Sequence, residues 1–202
     1  GTFGNVGSFS FFADKTITTG EGGYIITNDE NTYEQLLYLR NQGRKNRGSF
    51  IHPEIGYNFR MTDIQSAIGL AQLNKLDEII SRKLYTKQLY LKYLSGIEEI
   101  SLFKPEKYAD WIPFRVGILC KDAEKLMDYM KKKEIETRTY FYPLHWQPCY
   151  KKLMKNQKVR DEDFKNSIYA YQHGVCLPTF PTITVEQIIY VTNTIKDFYA
   201  KK

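Results

Sequence analysis

Hydrophobic and polar positions along this chain switch repeatedly between a two-residue and a helical period. Residues 1–12, GTFGNVGSFSFF, read as a glycine-broken turn running into a short apolar strand, and Gly23–Thr27 reads as a second strand. Asn28 or Asp29 offers an N-cap for a helix to about Gln42, with Leu36, Leu37 and Leu39 on its apolar side and Gly43 as C-cap. Residues 44–55 are polar and basic (Arg44, Lys45, Arg47), which predicts an exposed loop. Thr62 and Gln65 make a capping box, and Ile64, Ala67, Ile68, Ala71 and Leu76 follow at helical spacing. Ser66, Ala67, Gly69 and Ala71 are small enough to let another element approach that helix closely. The pattern continues through Arg82 into a long helical stretch over 83–94, stopping at Ser95 and Gly96.

The remainder reads as a smaller α/β unit. A strand over 111–120 is entered through Pro113, and Asp122 caps a helix to about Lys133 with Leu126, Tyr129 and Met130 inward. Residues 135–141 alternate as a strand, 163–171 as a helix, and 174–178 form another short strand. Thr184 and Gln187 start a closing helix to about Tyr199. Mixed strands and helices place the chain in the α/β class.

Composition narrows the function classes. A chain of 202 residues with 42% hydrophobic and 26% charged residues suits a soluble globular protein, as one large domain or two small ones. No apolar run is long enough to span a bilayer, and no basic segment leads into an apolar block, so neither a membrane span nor a secretory leader is expected. Cys120, Cys149 and Cys176 are scattered without metal-site or disulfide spacing, which points to a reducing cytoplasm and to no metal. The net charge of +6 favours anionic partners. The lysine clusters at 131–133, 151–155 and the C-terminus read as solvated helix faces, however, and no nucleic-acid motif accompanies them.

Three stretches carry candidate chemistry. In SFFADKTITTGEGG, Lys15 lies between Phe9, Phe11 and Phe12 on one side and Thr18, Thr19, Gly20, Glu21, Gly22 and Gly23 on the other. A lysine ending a buried strand is desolvated, and desolvation favours the neutral amine that attacks a carbonyl. The alternative is a strand-end lysine that extends into water. In GYNFRMTDIQ, Asn58 and Arg60 read on their own as polar loop residues ahead of a helix. In YPLHWQP, His145 sits among aromatics and prolines, as a general acid, a hydroxyl-binding donor or a structural histidine.

These stretches together resemble the DegT/DnrJ/EryC1 family of pyridoxal-phosphate-dependent sugar aminotransferases. SFSFFADKTITTGEGG is similar to the family's lysine motif, GYNFRMTDIQSAIGLAQL to its second signature, and VCLPTFPTITVEQIIYV to its C-terminal pattern, so the resemblance covers nearly the whole chain. It implies an aspartate-aminotransferase-like fold (fold type I), with residues 1–82 the end of the cofactor-binding large domain and 83–202 a small C-terminal domain. Lys15 would carry pyridoxal 5'-phosphate as a Schiff base and shuttle a proton. Ser10, five positions earlier, would contact the cofactor phosphate, and Asn58 would reach the phosphate of a neighbouring subunit in a homodimer. His145 falls in a Pro-x-His-x-x-Pro segment near the family's sugar site, and Arg60 would lie on the substrate or interface side. A sister branch, the sugar 3-dehydratases, has histidine in place of this lysine, so Lys15 implies amino transfer.

The implied partners are glutamate and a nucleotide-linked sugar, with no nucleic acid and no membrane. FFADKTITTGEGG and YFYPLHWQP are similar to members that aminate a 6-deoxyhexose at C4. Family members extend well upstream of the matched lysine, through a phosphate cradle and an aspartate that pairs with the pyridine nitrogen. Before Lys15 only Asp14, adjacent to it, is available, so this chain is expected to be the C-terminal half and inactive alone. A binding or dimerisation module, or a sensor-regulator derived from the family, is the alternative.

Overall fold

A computed structural model describes residues 1–44, 48, 50–153 and 159–201. Lys45, Arg47 and Lys155, assigned above to basic surface segments, lie outside the described residues. The chain divides into two compact units, Gly1–Ile79 and Ile80–Lys202.

The first unit opens with an antiparallel hairpin of β1 (Val6–Ser10) and β2 (Gly23–Thr27), in register from Val6 opposite Thr27 to Ser10 opposite Gly23. Helix α1 (Glu30–Arg40) starts at Asp29, whose carboxylate accepts the Thr32 N–H at 2.7 Å. It ends differently from the sequence expectation. Asn41 is the C-cap, Gln42 takes the left-handed conformation (φ 63°), and the Gly43 N–H returns to the Tyr38 carbonyl at 2.9 Å. Helix α2 (Asp63–Leu73) begins with the expected Thr62–Gln65 capping box.

Two expectations for this unit fail together. β1 was expected to be buried, yet of its five residues only Gly7 is. The apolar positions of α2 were expected to pack, yet Ile64 is 75% exposed and Ala67, Ile68 and Ala71 are exposed as well. Every residue of the hydrophobic core cluster lies in the second unit. Described residues of the first unit supply no apolar surface to cover α2, so its stripe faces outward.

Helix α3 (Leu76–Leu94) is separate from α2, and the division between the units falls inside it. The second unit is built on a four-stranded antiparallel sheet in the order β3 (Ile100–Leu102), β4 (Val116–Cys120), β6 (Gly174–Leu177), β5 (Arg138–Thr139). Alternate residues Val116, Ile118 and Cys120 with Val175 and Leu177 form its core face. Leu89, Tyr90 and Leu94 of α3 pack into the core, with Ala123, Leu126 and Met130 of α4 (Ala123–Lys131). Ile188, Val191, Ile195 and Tyr199 of α7 (Val185–Ala200) complete it. The α7 capping box at Thr184 and Gln187 is present as expected.

Several boundaries shift for local reasons. The strand expected from residue 111 begins only at Val116. The carbonyls of Trp111 and Pro113 accept instead from Lys87 Nζ (2.7 Å) and Lys83 Nζ (3.2 Å). Lys83 is 3% exposed, and burial lowers its pKa from the usual lysine value. Asp122 does not cap α4 with its side chain, because its backbone is left-handed (φ 55°) and its carboxylate pairs with Lys125. The expected strand over 135–141 contracts to two edge residues of β5. Beyond them Tyr140 turns its ring over the glycines of the neighbouring strands, since a Cβ at Gly117 would strike its hydroxyl and ring. Burial raises that hydroxyl's pKa to about 12. Helix α6 (Lys165–His173) starts later than expected, and β3 and α5 (Pro148–Leu153) were not foreseen.

Candidate active site

Lys15 sits near the tip of a loop closed at Phe11. The Phe11 N–H donates to the Gly22 carbonyl (2.9 Å), and the Phe11 carbonyl accepts from the Thr19 N–H and the Thr18 hydroxyl (both 3.0 Å). Inside that closure the Lys15 N–H turns back to the Phe12 carbonyl at 2.9 Å. Ser10 ends β1, and its hydroxyl oxygen accepts the Phe12 N–H at 3.2 Å, which leaves its own O–H as a donor.

α2 holds the loop from the other side, through polar residues rather than the apolar ones. Gln65 Nε2 donates to the Glu21 carbonyl at 2.9 Å, and Gln72 Oε1 accepts the Thr18 N–H at 3.4 Å. Gly69 lies between them on the same helical face, and a Cβ there would come 3.0 Å from the Thr19 methyl. The close approach expected of the small residues is therefore made at Gly69. Gly22 has φ +152°, and a Cβ on it would meet the Thr19 hydroxyl at 2.6 Å. Thr19 is buried at this junction.

The loop is thus fixed while Lys15 itself is exposed. The desolvation expected around this lysine is not provided by the described residues of its own unit, for the same reason that β1 is uncovered.

Asn58 is pinned by its backbone. Tyr57 N–H donates to Leu39 O (2.6 Å) and Phe59 N–H to Arg40 O (3.1 Å), with Asn41 and Asn58 directly opposite in an antiparallel bridge. Two glycines permit this. A Cβ on Gly56 would lie 2.7 Å from the Gln42 carbonyl carbon, and one on Gly43 would strike the Glu54 carbonyl. The Tyr57 and Phe59 rings stack 4.9 Å apart. Arg60 joins this group, its Nε donating to Asn58 Oδ1 (3.0 Å) and its Nη1 to Asn41 Oδ1 (2.8 Å).

His145 belongs to the second unit. It lies in a single 3-10 turn, Leu144–Trp146, with only 6% of its side chain exposed. Its ring stacks on Phe164 at 4.4 Å, and its Nε2 is 3.2 Å from Asp161 Oδ1, which also accepts from Trp146 Nε1 at 2.8 Å. The sequence did not single out Asp161, Asn41, Gln72 or the second bond of Gln65. The spacing of Gln65, Gly69 and Gln72 on one helical face was the signal available for the loop contacts.

A family model described as the DegT/DnrJ/EryC1/StrS aminotransferase family matches residues 1–196. The chain belongs to that family. Its relatives include the GDP-perosamine synthases of Escherichia coli O157:H7, 40% identical over all of this chain and 54% of the relative, and of Vibrio cholerae, 34% identical over 98% and 54%. The chain therefore spans about half the length of the curated relatives it matches, 54% in both cases. Among solved structures, the Helicobacter pylori aminotransferase PseC matches with TM-score 0.87 and 23% identity, over 99% of this chain and 54% of that one. A putative sugar aminotransferase of Streptococcus pneumoniae solved in its PLP-form matches with TM-score 0.86 and 21% identity, over 100% and 53%. These likenesses give the chain the fold-type-I α/β architecture expected of the family. No described helix is long and apolar enough to cross a membrane, and the described residues hold no cluster of metal-ligating side chains.

Proposed function

We propose that this chain carries the lysine-bearing part of a pyridoxal-phosphate-dependent enzyme that aminates a keto group on a nucleotide-linked 6-deoxyhexose, with glutamate as donor. The observation that carries the reading is the Lys15 loop: an exposed lysine on a backbone fixed from both sides, in a chain of an aminotransferase family. The perosamine synthases among its relatives support the sugar class.

The residues present fit the cofactor. It needs an amine for its aldehyde and donors for its phosphate, and the chain offers the Lys15 amine, the Ser10 O–H and the Asn58 amide. When bound, pyridoxal phosphate supplies an electrophilic carbon and a ring that accepts electrons. The residues do the remainder. Lys15 would take the proton from the donor's Cα and deliver it, from the same side, to the cofactor's aldehyde-derived C4′ carbon. Ser10 donates to the phosphate from the same subunit and Asn58 from a second copy of the chain. His145 has its Nε2 engaged by Asp161, so its Nδ1 edge is the one that meets a sugar hydroxyl. The scattered cysteines, none of them in a disulfide, support a cytoplasmic setting for that activity. Taken alone, residues 1–202 would bind the cofactor weakly and not turn over, because among them the only aspartate before Lys15 is its neighbour Asp14.

Borohydride reduction with pyridoxal phosphate, followed by peptide mapping, tests the assignment. A phosphopyridoxyl group concentrated on Lys15 is expected. Labelling spread evenly over exposed lysines, with no preference for Lys15, would refute it. The uncovered apolar stripe of α2 favours one further reading, that the first unit serves mainly for association. That reading predicts self-association by sedimentation together with no preference for Lys15.

A further inference from the structure

Arg60 was placed by resemblance on the substrate or interface side, and its hydrogen bonds give it another task. Arginine carries only donors. The Asn58 atom 3.0 Å from Arg60 Nε is therefore the carboxamide oxygen, and the Nδ2 group must face away from the guanidinium. The second arm of Arg60 is set in the same way. Its Nη1 donates to Asn41 Oδ1, and Asn41 Nδ2 donates in turn to the Arg44 carbonyl at 3.2 Å. Asn41 is the C-cap of α1 and stands opposite Asn58 in the backbone bridge. The two asparagines are thus locked on either side of one planar, rigid group.

We infer that Arg60 is a positioning residue: anchored to Asn41 at the end of α1, it fixes the Asn58 carboxamide so that its Nδ2 presents N–H donors to a phosphate group. The inference rests on the reading of Asn58 as a phosphate ligand given under Proposed function. A free carboxamide samples two orientations, one of which turns its oxygen toward an anion and repels it. Arg60 removes that orientation, and its positive charge adds attraction for the dianion without requiring direct contact. A lysine at this position has a single nitrogen and no planar fork to serve both oxygens.

Two measurements test this. The first needs no cofactor: 15N relaxation of the Asn58 side-chain amide in the chain as it stands. An ordered Nδ2 group is expected, mobile in both Arg60→Ala and Arg60→Lys. Equal mobility in the unsubstituted chain and Arg60→Ala would overturn the inference. The second is a double-mutant cycle on pyridoxal phosphate affinity, with Arg60→Ala and Asn58→Ala. Arg60→Ala alone should weaken binding about tenfold, the scale of a charge-assisted hydrogen bond lost, and by less than about twofold once Asn58 is already alanine. Pyridoxal, which lacks the phosphate, should bind both proteins alike. A loss that persists undiminished in the Asn58→Ala background, or that appears equally with pyridoxal, would mean that Arg60 contacts the ligand itself and would refute the positioning role. Should Lys15 acquire no phosphopyridoxyl group at all, the functional reading falls, and the relaxation measurement still decides whether Arg60 orders Asn58.

Discussion

Gln65 performs two separable tasks, and one substitution divides them. Its Oε1 accepts the Thr62 N–H at 2.9 Å within the capping box of α2, and its Nε2 donates to the Glu21 carbonyl at 2.9 Å. Gln65→Glu keeps the first, since a carboxylate at this helix position accepts the same N–H and suits the helix dipole. It loses the second, because a carboxylate donates nothing and faces a carbonyl oxygen. A part-exposed hydrogen bond contributes on the net about 1 kcal/mol, so the loop should open roughly fivefold more often. Native-state amide exchange reads this directly. The Phe11 and Thr19 amides, which close the loop, should exchange about fivefold faster, while the Ser66 amide, bonded to Thr62 O at 2.9 Å, should not change. Gln72→Ala should act in the same direction but more weakly, because its bond to Thr18 is long at 3.4 Å. Unchanged exchange at Phe11 and Thr19, or equal acceleration at Ser66, would show that α2 does not hold the lysine loop.

Further outcomes follow from the second unit and from the exposed helix. Gly117→Ala should destabilise the chain by about 1–3 kcal/mol in urea unfolding, and Tyr140→Leu should restore part of it, because the three atoms nearest a Cβ at Gly117 all belong to that side chain. Gly174→Ala should not be restored in this way, since its Cβ would also strike the Ala170 carbonyl. Leu126→Ala, at a fully buried position, should cost about 2–5 kcal/mol, whereas Ile64→Ala should change thermal stability by no more than about 0.5 kcal/mol. Burial raises the hydroxyl pKa of Tyr140 to about 12 and those of Tyr90 and Tyr199 further. Above the ordinary tyrosine pKa of 10.0 the unfolded chain gives up protons that the folded one keeps, so stability present below that pH is lost as pH rises. Tyr90→Phe should flatten this alkaline decline in urea titrations across pH, and an unchanged slope would contradict the burial argument.

What the sequence made legible follows the physics of each signal. The capping boxes at Thr62 and Thr184 were readable because both partners lie in one short window, and both form. Asp122 offered the same kind of residue, but a left-handed backbone turned it from its cap, and no local pattern announces that conformation. β3 is an edge strand of three residues, too short for alternation to stand out, whereas the alternation over 135–141 was readable but only Arg138 and Thr139 of it pair with β6. Lys15, Ser10 and Asn58 were singled out by motif similarity rather than by periodicity. What motif similarity could not supply was how they are held. Gln65, Gln72 and Asn41 act through contacts between separate segments of the chain, and their residue types are ordinary on any surface; Arg60 was named by the motif, but for the substrate or interface side rather than for its bonds to Asn58 and Asn41.

The exposed side of the first unit bears on how the proposed chemistry could work. In the second unit, burial of apolar side chains fixes the fold. In the first, hydrogen bonds from Gln65, Gln72, Arg60 and Asn41 fix the lysine loop and the Asn58 segment, while the apolar stripe of α2 stays uncovered. A Schiff base on an exposed amine is open to hydrolysis by water, and excluding water is one of the functions of a closed active site. On the proposed reading, a surface that buries the α2 stripe also shields Lys15, so association and activation are coupled. The consequence is measurable: the share of borohydride-trapped Lys15 should rise with protein concentration over the range in which sedimentation detects self-association. Trapping that stays constant across that range would separate the two events and leave the lysine without the shelter its chemistry requires.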